Sequence, residues 1–263
     1  FVLEDIGTLP SSLTTLNDKA FYSCINLKSC TFSNRVVSIG DSAFEECKTL
    51  KSISLSDSIA SIGKKAFYNC ADLNKVNIMS VTMWCKINFG LDNRTDDDAR
   101  NVDAYTSNPL HYAHNLYLND ELVTDLVISD DVRQINRGVF AFCNNLKSIT
   151  IGNKVTNIEK DAFWGCKNLS KVHIPNIALW CNIKFSNEYS NPLCYANDLY
   201  LNDELVTDLI IPYGVTNISN YTFYNCDGLT SVSIPDSVTS IGNCTFKRCY
   251  GLTNITIPNS VTN

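Results

Sequence analysis

Twelve cysteines are the main source of chemistry in this chain of 263 residues, because thiolates form disulfides, bind metals and act as nucleophiles. No two of them have the Cys-x-x-Cys spacing that is typical of a zinc site. Equivalent positions of a stacked repeat hold their Cα–Cβ bonds parallel, whereas a disulfide needs Cβ atoms that converge to about 3.8 Å. We therefore predict buried free thiols, which pack as small hydrophobic side chains, at the seven cysteines that lie three residues after a phenylalanine and three before a leucine: Cys24, Cys47, Cys70, Cys143, Cys166, Cys226 and Cys249.

The five remaining cysteines divide into core positions and candidates for reactivity. Cys30 takes the place of an isoleucine in a predicted strand, and Cys85 and Cys181 each follow a tryptophan, so we expect all three in the core. Cys194 stands where a matching segment has a histidine, so no pairing is required there. Cys244 occupies a variable position of the repeat and is the best candidate for a reactive thiol.

The histidines and acidic residues form no motif with a known mechanism. His111, His114 and His173 are the only histidines, and neither a His-Glu-x-x-His pattern, a Gly-x-Ser-x-Gly segment nor a P-loop is present. The aspartates at residues 96–98, with Asp92, offer oxygen ligands for Ca²⁺ but lack the alternation and the bidentate glutamate of a calcium loop, so we predict an exposed loop. The sequence predicts no enzyme, no metal site and no cofactor.

Charge and hydropathy argue against nucleic acid and membranes as partners. The net charge of −6 does not provide the basic surface that phosphates need. No apolar run reaches the roughly 20 residues that cross a bilayer, so we predict no transmembrane segment. The opening FVLEDIGTLP lacks the basic and apolar regions of a signal peptide, and the last residues begin another repeat, so we expect a segment of a longer protein.

A repeat of 23 residues must position these cysteines. Four of the six steps between the phenylalanines that precede them are 23 residues long, and the other two are 73 and 60. A fixed period of this size predicts stacked supersecondary units around one continuous core. The predicted internal ladder comprises Phe44, Cys47, Leu50, Phe67, Cys70, Leu73, Phe163, Cys166, Leu169, Phe246, Cys249 and Leu252.

Each repeat contains a turn segment and a strand. Spacings of three along Phe44, Cys47 and Leu50 predict a short helical or 3-10 turn. The alternation in residues 52–55 predicts a strand with Ile53 and Leu55 pointing inward and serines pointing outward. The last repeat has the corresponding inward pair at residues 255 and 257.

Two longer segments interrupt the period and match each other. Residues 84–89 (WCKINF) resemble residues 180–185 (WCNIKF), and residues 116–126 are identical to residues 199–209 (LYLNDELVTDL). The apolar stretches on either side of Asn119 and Asp120 predict a β-hairpin with a two-residue turn. Each long segment therefore predicts an enlarged turn that carries an extra helix and a hairpin.

These residues resemble the BspA-type leucine-rich repeat family, whose units follow V-x-x-I-G-x-x-A-F-x-x-C-x-x-L-x-x-I-x-I-P. The resemblance implies an α/β fold, namely a right-handed leucine-rich-repeat solenoid with a parallel strand in each turn. We predict a single domain over residues 1–263, with regular repeats at 13–79, 129–175 and 212–263 and enlarged turns at 80–128 and 176–211. The resemblance also implies a secreted or cell-surface microbial protein that binds host proteins or mediates adhesion and has no catalytic residues.

The outward strand face is the candidate binding surface, and its chosen residues are Lys75, Asn77, Thr150, Lys171, His173, Ser231 and Ser233. The alternative anchors are Tyr117 and Tyr200 in the predicted hairpins. The strand face is either a solvated surface or a hydrogen-bonding platform for a protein, such as a host matrix or surface protein, or for a glycan. The chain is accordingly a binding module or, as the alternative, a structural spacer that presents another domain.

Overall fold

A computed structural model describes residues 5–90 and 105–263. The loop predicted around Asp92 and residues 96–98 lies outside these residues. The chain divides into two compact units, of which the first is Phe1–Val123 with Asn136–Asn145 and the second is Thr124–Ile135 with Leu146–Asn263. The prediction of a single domain over residues 1–263 stays a prediction.

Short strands dominate the first unit, because apolar and polar residues alternate in each repeat. Its strands and helices are β1 (Asp5–Thr8), β2 (Thr15–Leu16), β3 (Ser29–Thr31), β4 (Ser38–Ile39), β5 (Ser52–Leu55), β6 (Ser61–Ile62), β7 (Lys75–Ile78), α1 (Val81–Trp84), β8 (Asn88–Phe89), α2 (Leu110–Ala113), β9 (Leu116–Leu118) and β10 (Glu121–Leu122). Within the described residues, one sheet has the order β1-β3-β5-β7-β9-β10 and the other has the order β2-β4-β6-β8. The pairing keeps the 23-residue register, so Ile53 lies opposite Cys30 and Val76.

The second unit has the same construction. Its elements are β11 (Asp125–Val127), β12 (Gln134–Ile135), β13 (Ser148–Thr150), β14 (Asn157–Ile158), β15 (Lys171–Ile174), α3 (Ile177–Cys181), β16 (Lys184–Phe185), a 3-10 helix (Glu188–Ser190), α4 (Leu193–Ala196), β17 (Asp198–Leu201), β18 (Glu204–Leu205), β19 (Asp208–Ile210), β20 (Asn217–Ile218), β21 (Ser231–Ser233), β22 (Ser240–Ile241) and β23 (Asn254–Thr256). The sheets have the orders β11-β13-β15-β17-β18, β19-β21-β23, β12-β14-β16 and β20-β22. This topology confirms the predicted leucine-rich-repeat solenoid of parallel strands.

The core is a column of side chains that recur from turn to turn. The rings of Phe44 and Phe67 stack with their centroids 5.4 Å apart and an interplanar angle of 2°. The ladder residues of the interior turns are buried, namely Phe44, Cys47, Leu50, Phe67, Cys70, Leu73, Phe163, Cys166 and Leu169. In the last turn Cys249 is buried, but Phe246 and Leu252 are half-buried, and Ile257, predicted to point inward, is 49% exposed. These residues are more exposed because no later turn of the described chain packs on them.

The turn segments of the regular repeats differ from a continuous helix. The backbone N–H of Cys47 donates to the carbonyl of Phe44 at 3.1 Å, and that of Leu50 donates to the carbonyl of Cys47 at 3.1 Å, which is the i to i+3 pattern of a 3-10 turn. Between them Glu46 has a φ of 64°, in the left-handed region. A left-handed residue interrupts a right-handed helix, so each segment is a series of single turns.

The enlarged turns contain the helices and the hairpins. Each begins with a capped helix, since the side chain of Ser80 accepts a hydrogen bond from Met83 N in α1 and that of Asn176 accepts one from Leu179 N in α3. A second short α-helix, α2 or α4, follows in each, and the second enlarged turn also contains the 3-10 helix Glu188–Ser190, where we predicted one helix per enlarged turn. The hairpin turns have positive φ at both central residues, Asn119 and Asp120 in one and residues 202 and 203 in the other. This confirms the predicted two-residue hairpins, because a type I′ turn needs positive φ at both positions.

Candidate functional site

The hairpin β9–β10 places an aromatic ring beside a lysine of the preceding turn. β9 pairs with β7, so that Tyr117 lies opposite Asn77. The Nζ of Lys75 lies 4.8 Å from the centroid of the Tyr117 ring and 2.7 Å from Oδ1 of Asp120. These three residues, Lys75, Tyr117 and Asp120, form the first cluster, in which a cation contacts both a ring face and a carboxylate. Residues that we chose as alternatives, from the strand face and from the hairpins, are therefore neighbours on one sheet.

Asn77 is buried, so its predicted exposure on the outward face was wrong, and its role in binding stays a prediction. Its relative exposure is 2%, and its Oδ1 accepts a hydrogen bond of 2.8 Å from the backbone N–H of Asp120. The hairpin turn therefore uses the Asn77 side chain as an acceptor. Asn77 holds Asp120 within reach of Lys75 and has a structural role at the first cluster.

The second cluster comprises Lys171, His173, Tyr200 and Asp203, at the equivalent positions of the second unit. β17 pairs with β15, with Tyr200 opposite His173. The Nζ of Lys171 lies 5.6 Å from the centroid of the Tyr200 ring. The His173 ring stacks on the same ring, with the centroids 4.9 Å apart and an interplanar angle of 17°, and its Nδ1 lies 3.0 Å from Oδ1 of Asp203. The aspartate of the hairpin turn therefore contacts a lysine in the first cluster and a histidine in the second.

The remaining residues of the predicted face lie in strands of the regular turns. Thr150 and Ser231 are half-buried and Ser233 is exposed. The Oγ of Ser231 donates a 2.5 Å hydrogen bond to Oδ1 of Asp208. These residues lie on the faces of β13 and β21 that their sequence period indicated. Among the described residues, no cluster comparable with the two above forms around Thr150 or Ser233.

Sequence reasoning missed acidic residues on the outward face. Asp125 and Asp208 follow the hairpins and occupy outward positions of β11 and β19. The Oγ of Ser148 donates a 2.5 Å hydrogen bond to Oδ1 of Asp125, and hydrogen bonds from Ser148 and then Thr124 lower the pKa of that carboxyl group. The signal was available, because residues 126–128 resume the inward apolar alternation and so place Asp125 outward.

Sequence reasoning also missed two apolar side chains on the outward faces of those strands. Val127 is 62% exposed in β11, and Ile210 is 70% exposed in β19. Their inward neighbours, Leu126 and Leu209, are each 1% exposed. The strands that follow the hairpins therefore present an acidic and an apolar side chain outward, unlike the serine, threonine and lysine positions of the regular turns.

A sequence profile described as "BspA type Leucine rich repeat region (6 copies)" matches residues 3–89, 113–190 and 196–263. This chain belongs to the BspA-type leucine-rich repeat family. Among curated proteins, none matches the sequence. Leucine-rich repeat proteins of this kind are typically protein-interaction modules and are typically non-enzymatic.

Solved structures with a similar fold come from several bacteria. A leucine-rich cell surface protein from Faecalibacterium prausnitzii is 21% identical, with a TM-score of 0.48, over 98% of this chain and 70% of that one. A leucine-rich repeat protein from Bacteroides ovatus is 19% identical, with a TM-score of 0.46, over 97% of this chain and 81% of that one. One from Eubacterium ventriosum is 20% identical, with a TM-score of 0.46, over 98% of this chain and 80% of that one.

The cysteines of these BspA-type repeats are poorly suited to nucleophilic chemistry. All twelve are free thiols; nine are buried, and Cys24, Cys194 and Cys244 are half-buried. A thiol is a nucleophile only when it is ionised. Burial raises the pKa to about 12 at Cys47, Cys85, Cys143, Cys181 and Cys194.

Neither a metal centre nor a membrane span emerges from the described BspA-type repeats. Across residues 5–90 and 105–263, no three histidine, cysteine, aspartate or glutamate side chains are grouped so as to hold a metal ion. In the same residues, every helix is too short or too polar to cross a bilayer. The two clusters on the sheets are the candidate sites that the residues predicted from the sequence form.

Proposed function

We propose that this chain is a non-enzymatic adhesion module of a secreted or cell-surface microbial protein. It binds a macromolecule of a host or of a neighbouring cell through the outward strand faces of its sheets. The observation that carries this proposal is the repetition of one arrangement in both enlarged turns. Lys75 and Lys171 each lie against a hairpin tyrosine, Tyr117 or Tyr200, on the outward face of their own sheet. Membership of the BspA-type family supports the surface location.

The clusters have the composition of an interaction site. Tyrosine is enriched among the residues that dominate binding energy, because it offers a large rigid contact area and a hydroxyl group. Polar side chains beside each ring hold one another in place before a partner arrives, through the 2.7 Å contact of Lys75 with Asp120 in the first cluster and the 3.0 Å contact of His173 with Asp203 in the second. Less side-chain entropy is then lost on binding.

A protein is the favoured partner, and a glycan is the second candidate. The two clusters present cations, carboxylates and ring faces side by side, which suits the mixed polar and apolar surface of a protein. A glycan would use the same aromatic faces for stacking, with Asp203 and His173 as hydrogen-bonding groups. A host matrix or surface protein fits the adhesive role of the family.

The experiment measures adhesion of the intact chain to a panel of immobilised extracellular-matrix proteins and to a glycan array. One variant combines Tyr117→Ala with Tyr200→Ala, and another combines Lys75→Ala with Lys171→Ala. Loss of an anchoring tyrosine costs about 2 kcal/mol or more, so the tyrosine variant should bind at least tenfold more weakly. The lysine variant should lose less, since a partly exposed cation–π contact contributes roughly 0.5–2 kcal/mol.

The matched control is Tyr213→Ala with Tyr250→Ala, which removes two tyrosines that are 88% and 78% exposed and lie outside the strands. Circular dichroism and thermal unfolding must show that all variants are folded. A control that weakens adhesion as much as the cluster variants would place the site elsewhere. Undiminished adhesion in both cluster variants would also place the site elsewhere, and an unaltered chain that binds nothing on either array would instead favour the structural spacer that presents another domain.

A further inference from the structure

The parallel ladder of the second unit is interrupted between β18 and β19. β18 is the last strand of its five-stranded sheet, and β19 is the first strand of a three-stranded sheet. In the part of the chain that the structure describes, no strand pairs with the outer edge of either one. The connection between them, Val206 and Thr207, is only two residues long.

The hydrogen bonds of β19 show which of its two edges each backbone N–H and C=O group faces. Ile211 N donates to Ser233 O at 3.0 Å, and Thr207 O accepts from Thr230 N at 2.7 Å, so residues 207 and 211 face β21. Alternate residues of a strand direct their backbone polar groups to opposite edges. Asp208 and Ile210 therefore direct their N–H and C=O groups away from β21.

In the regular turns, the equivalent backbone groups form hydrogen bonds with the preceding turn. Lys171 N, equivalent to Asp208 N, donates to Lys147 O at 3.2 Å, and Ser231 N donates to Thr207 O at 3.3 Å. At β19 the hairpin arm β18 does not take the place of a preceding strand, because among the described strands it pairs only with β17. The edge of β19 consequently offers two donors, the N–H groups of Asp208 and Ile210, and two acceptors, the C=O groups of the same residues. They have the spacing of a parallel or antiparallel ladder.

A groove of about 290 Å³ lies along this edge. Its apolar walls include Ile177, Leu201, Leu205 and Ile210, and its acidic groups are Glu204 and Asp208. Ile210 is 70% exposed and Leu205 is 44% exposed, so both lie open to a ligand. An open backbone edge between apolar and acidic side chains is suited to strand addition, in which main-chain hydrogen bonds supply affinity and side-chain contacts supply specificity.

We propose that this groove binds an extended segment of a partner protein, which adds to β19 as a further strand and alternates basic with apolar residues. The alternation follows from the period of two in a strand, and the basic residues match Glu204 and Asp208. A second copy of this chain is disfavoured, because its own edge would bring the same two acidic residues against them. This site uses the backbone of β19 and not the two lysine–tyrosine clusters, so it goes beyond the function proposed above.

The test follows the amide hydrogen exchange of Asp208 and Ile210 by NMR in the intact chain. The probe is an acetylated and amidated eight-residue peptide that alternates lysine and valine. At saturating peptide, exchange at both amides should slow at least tenfold, because the added strand accepts their hydrogen bonds. A peptide with the same side chains but with methyl groups on all backbone nitrogens, and one with glutamate in place of lysine, should leave exchange unchanged.

Two charge-reversal variants test whether the peptide binds in the groove. Glu204→Lys should weaken peptide binding at least threefold, whereas Asp236→Lys, an equal charge change at an exposed residue outside the groove, should not. The Lys75→Ala and Lys171→Ala variant should keep the slowing, so failure of the sheet-face function and failure of this site can be told apart. The proposal is overturned if exchange does not slow, if the methylated peptide slows it equally, or if raising the protein concentration alone slows it, which would indicate pairing between copies.

Discussion

The Sγ of Cys70 donates a hydrogen bond of 3.1 Å to the carbonyl oxygen of Phe44 in the preceding turn. Cys47 makes the same bond to Phe21, at 3.0 Å. The Phe44 carbonyl already accepts from Cys47 N within its own turn, so the thiol uses its second lone pair. The cysteine ladder therefore links successive turns as well as filling the core, which explains a thiol at this position better than apolar size alone.

Replacement of Cys70 by alanine tests this link. The Cys70→Ala variant loses the sulfur contacts and the bond to Phe44 O, so its free energy of unfolding should fall by about 1–3 kcal/mol. Cys244→Ala, at a half-buried position outside the ladder, should change stability by less than about 0.5 kcal/mol. Urea unfolding measures both. Equal effects at the two positions would contradict a linking role for the ladder thiol.

Thiol labelling distinguishes the two cysteines that the sequence marked as candidates for reactivity. Burial raises the pKa of Cys194 to about 12, which leaves little thiolate at neutral pH. Cys244 is half-buried and is flanked by the exposed Asn243. We expect iodoacetamide at pH 8 to modify Cys244 well before Cys194 and to leave Cys143 unmodified until the chain unfolds. Peptide mass spectrometry over time reports the order, and labelling of Cys194 first would show that the raised pKa does not govern reactivity.

Much of the fold follows from the sequence because every repeat residue meets the same surroundings in the next turn. Ile53, Cys47 and the Asn119–Asp120 hairpin turn could be placed from period and residue type alone. Asn77 could not, since its burial depends on a contact with Asp120, 43 residues later, that no local pattern encodes. The pairing of Lys75 with Tyr117 was missed for the same reason. The open edge at Asp208 depends on where the hairpin arm lies, which its identical sequence in both enlarged turns does not reveal.

Gly63 lies where two turns approach each other closely. A Cβ atom there would lie 2.5 Å from Asp41 N and 2.6 Å from Gly40 C, both backbone atoms of the preceding turn. Gly63→Ala should therefore destabilise the fold by about 1–3 kcal/mol, because neighbouring backbone must shift. Gly228→Ala is the control, since the nearest atoms to its added Cβ are side-chain atoms of Asp198 at 3.2 Å and Leu205 at 3.6 Å. Thermal unfolding compares them, and a Gly63 variant no less stable than the Gly228 variant would refute the close approach.

Alkaline pH should weaken the fold through the buried thiols. Burial raises the pKa from 9.0 to about 12 at Cys85 and Cys143, and to about 11 at Cys249. A raised pKa means that the folded chain keeps protons that the unfolded chain releases. The stabilisation is fully present below pH 9 and is lost progressively as the pH rises from 9 through the folded pKa of about 11 to 12. Within that window each buried thiol lowers the free energy of unfolding by about 1.4 kcal/mol per pH unit.

The contribution of one thiol can be isolated with Cys143→Ala. This variant should be less stable than the natural chain at pH 8, because it loses buried sulfur contacts. Its stability should then fall less steeply between pH 9 and 10.5, by about 1.4 kcal/mol per pH unit, since one titrating group is absent. Urea unfolding at half-unit steps of pH measures both slopes under reducing conditions. Parallel slopes would mean that Cys143 does not titrate differently in the folded and unfolded chains, and tyrosine and lysine groups would then account for the alkaline loss.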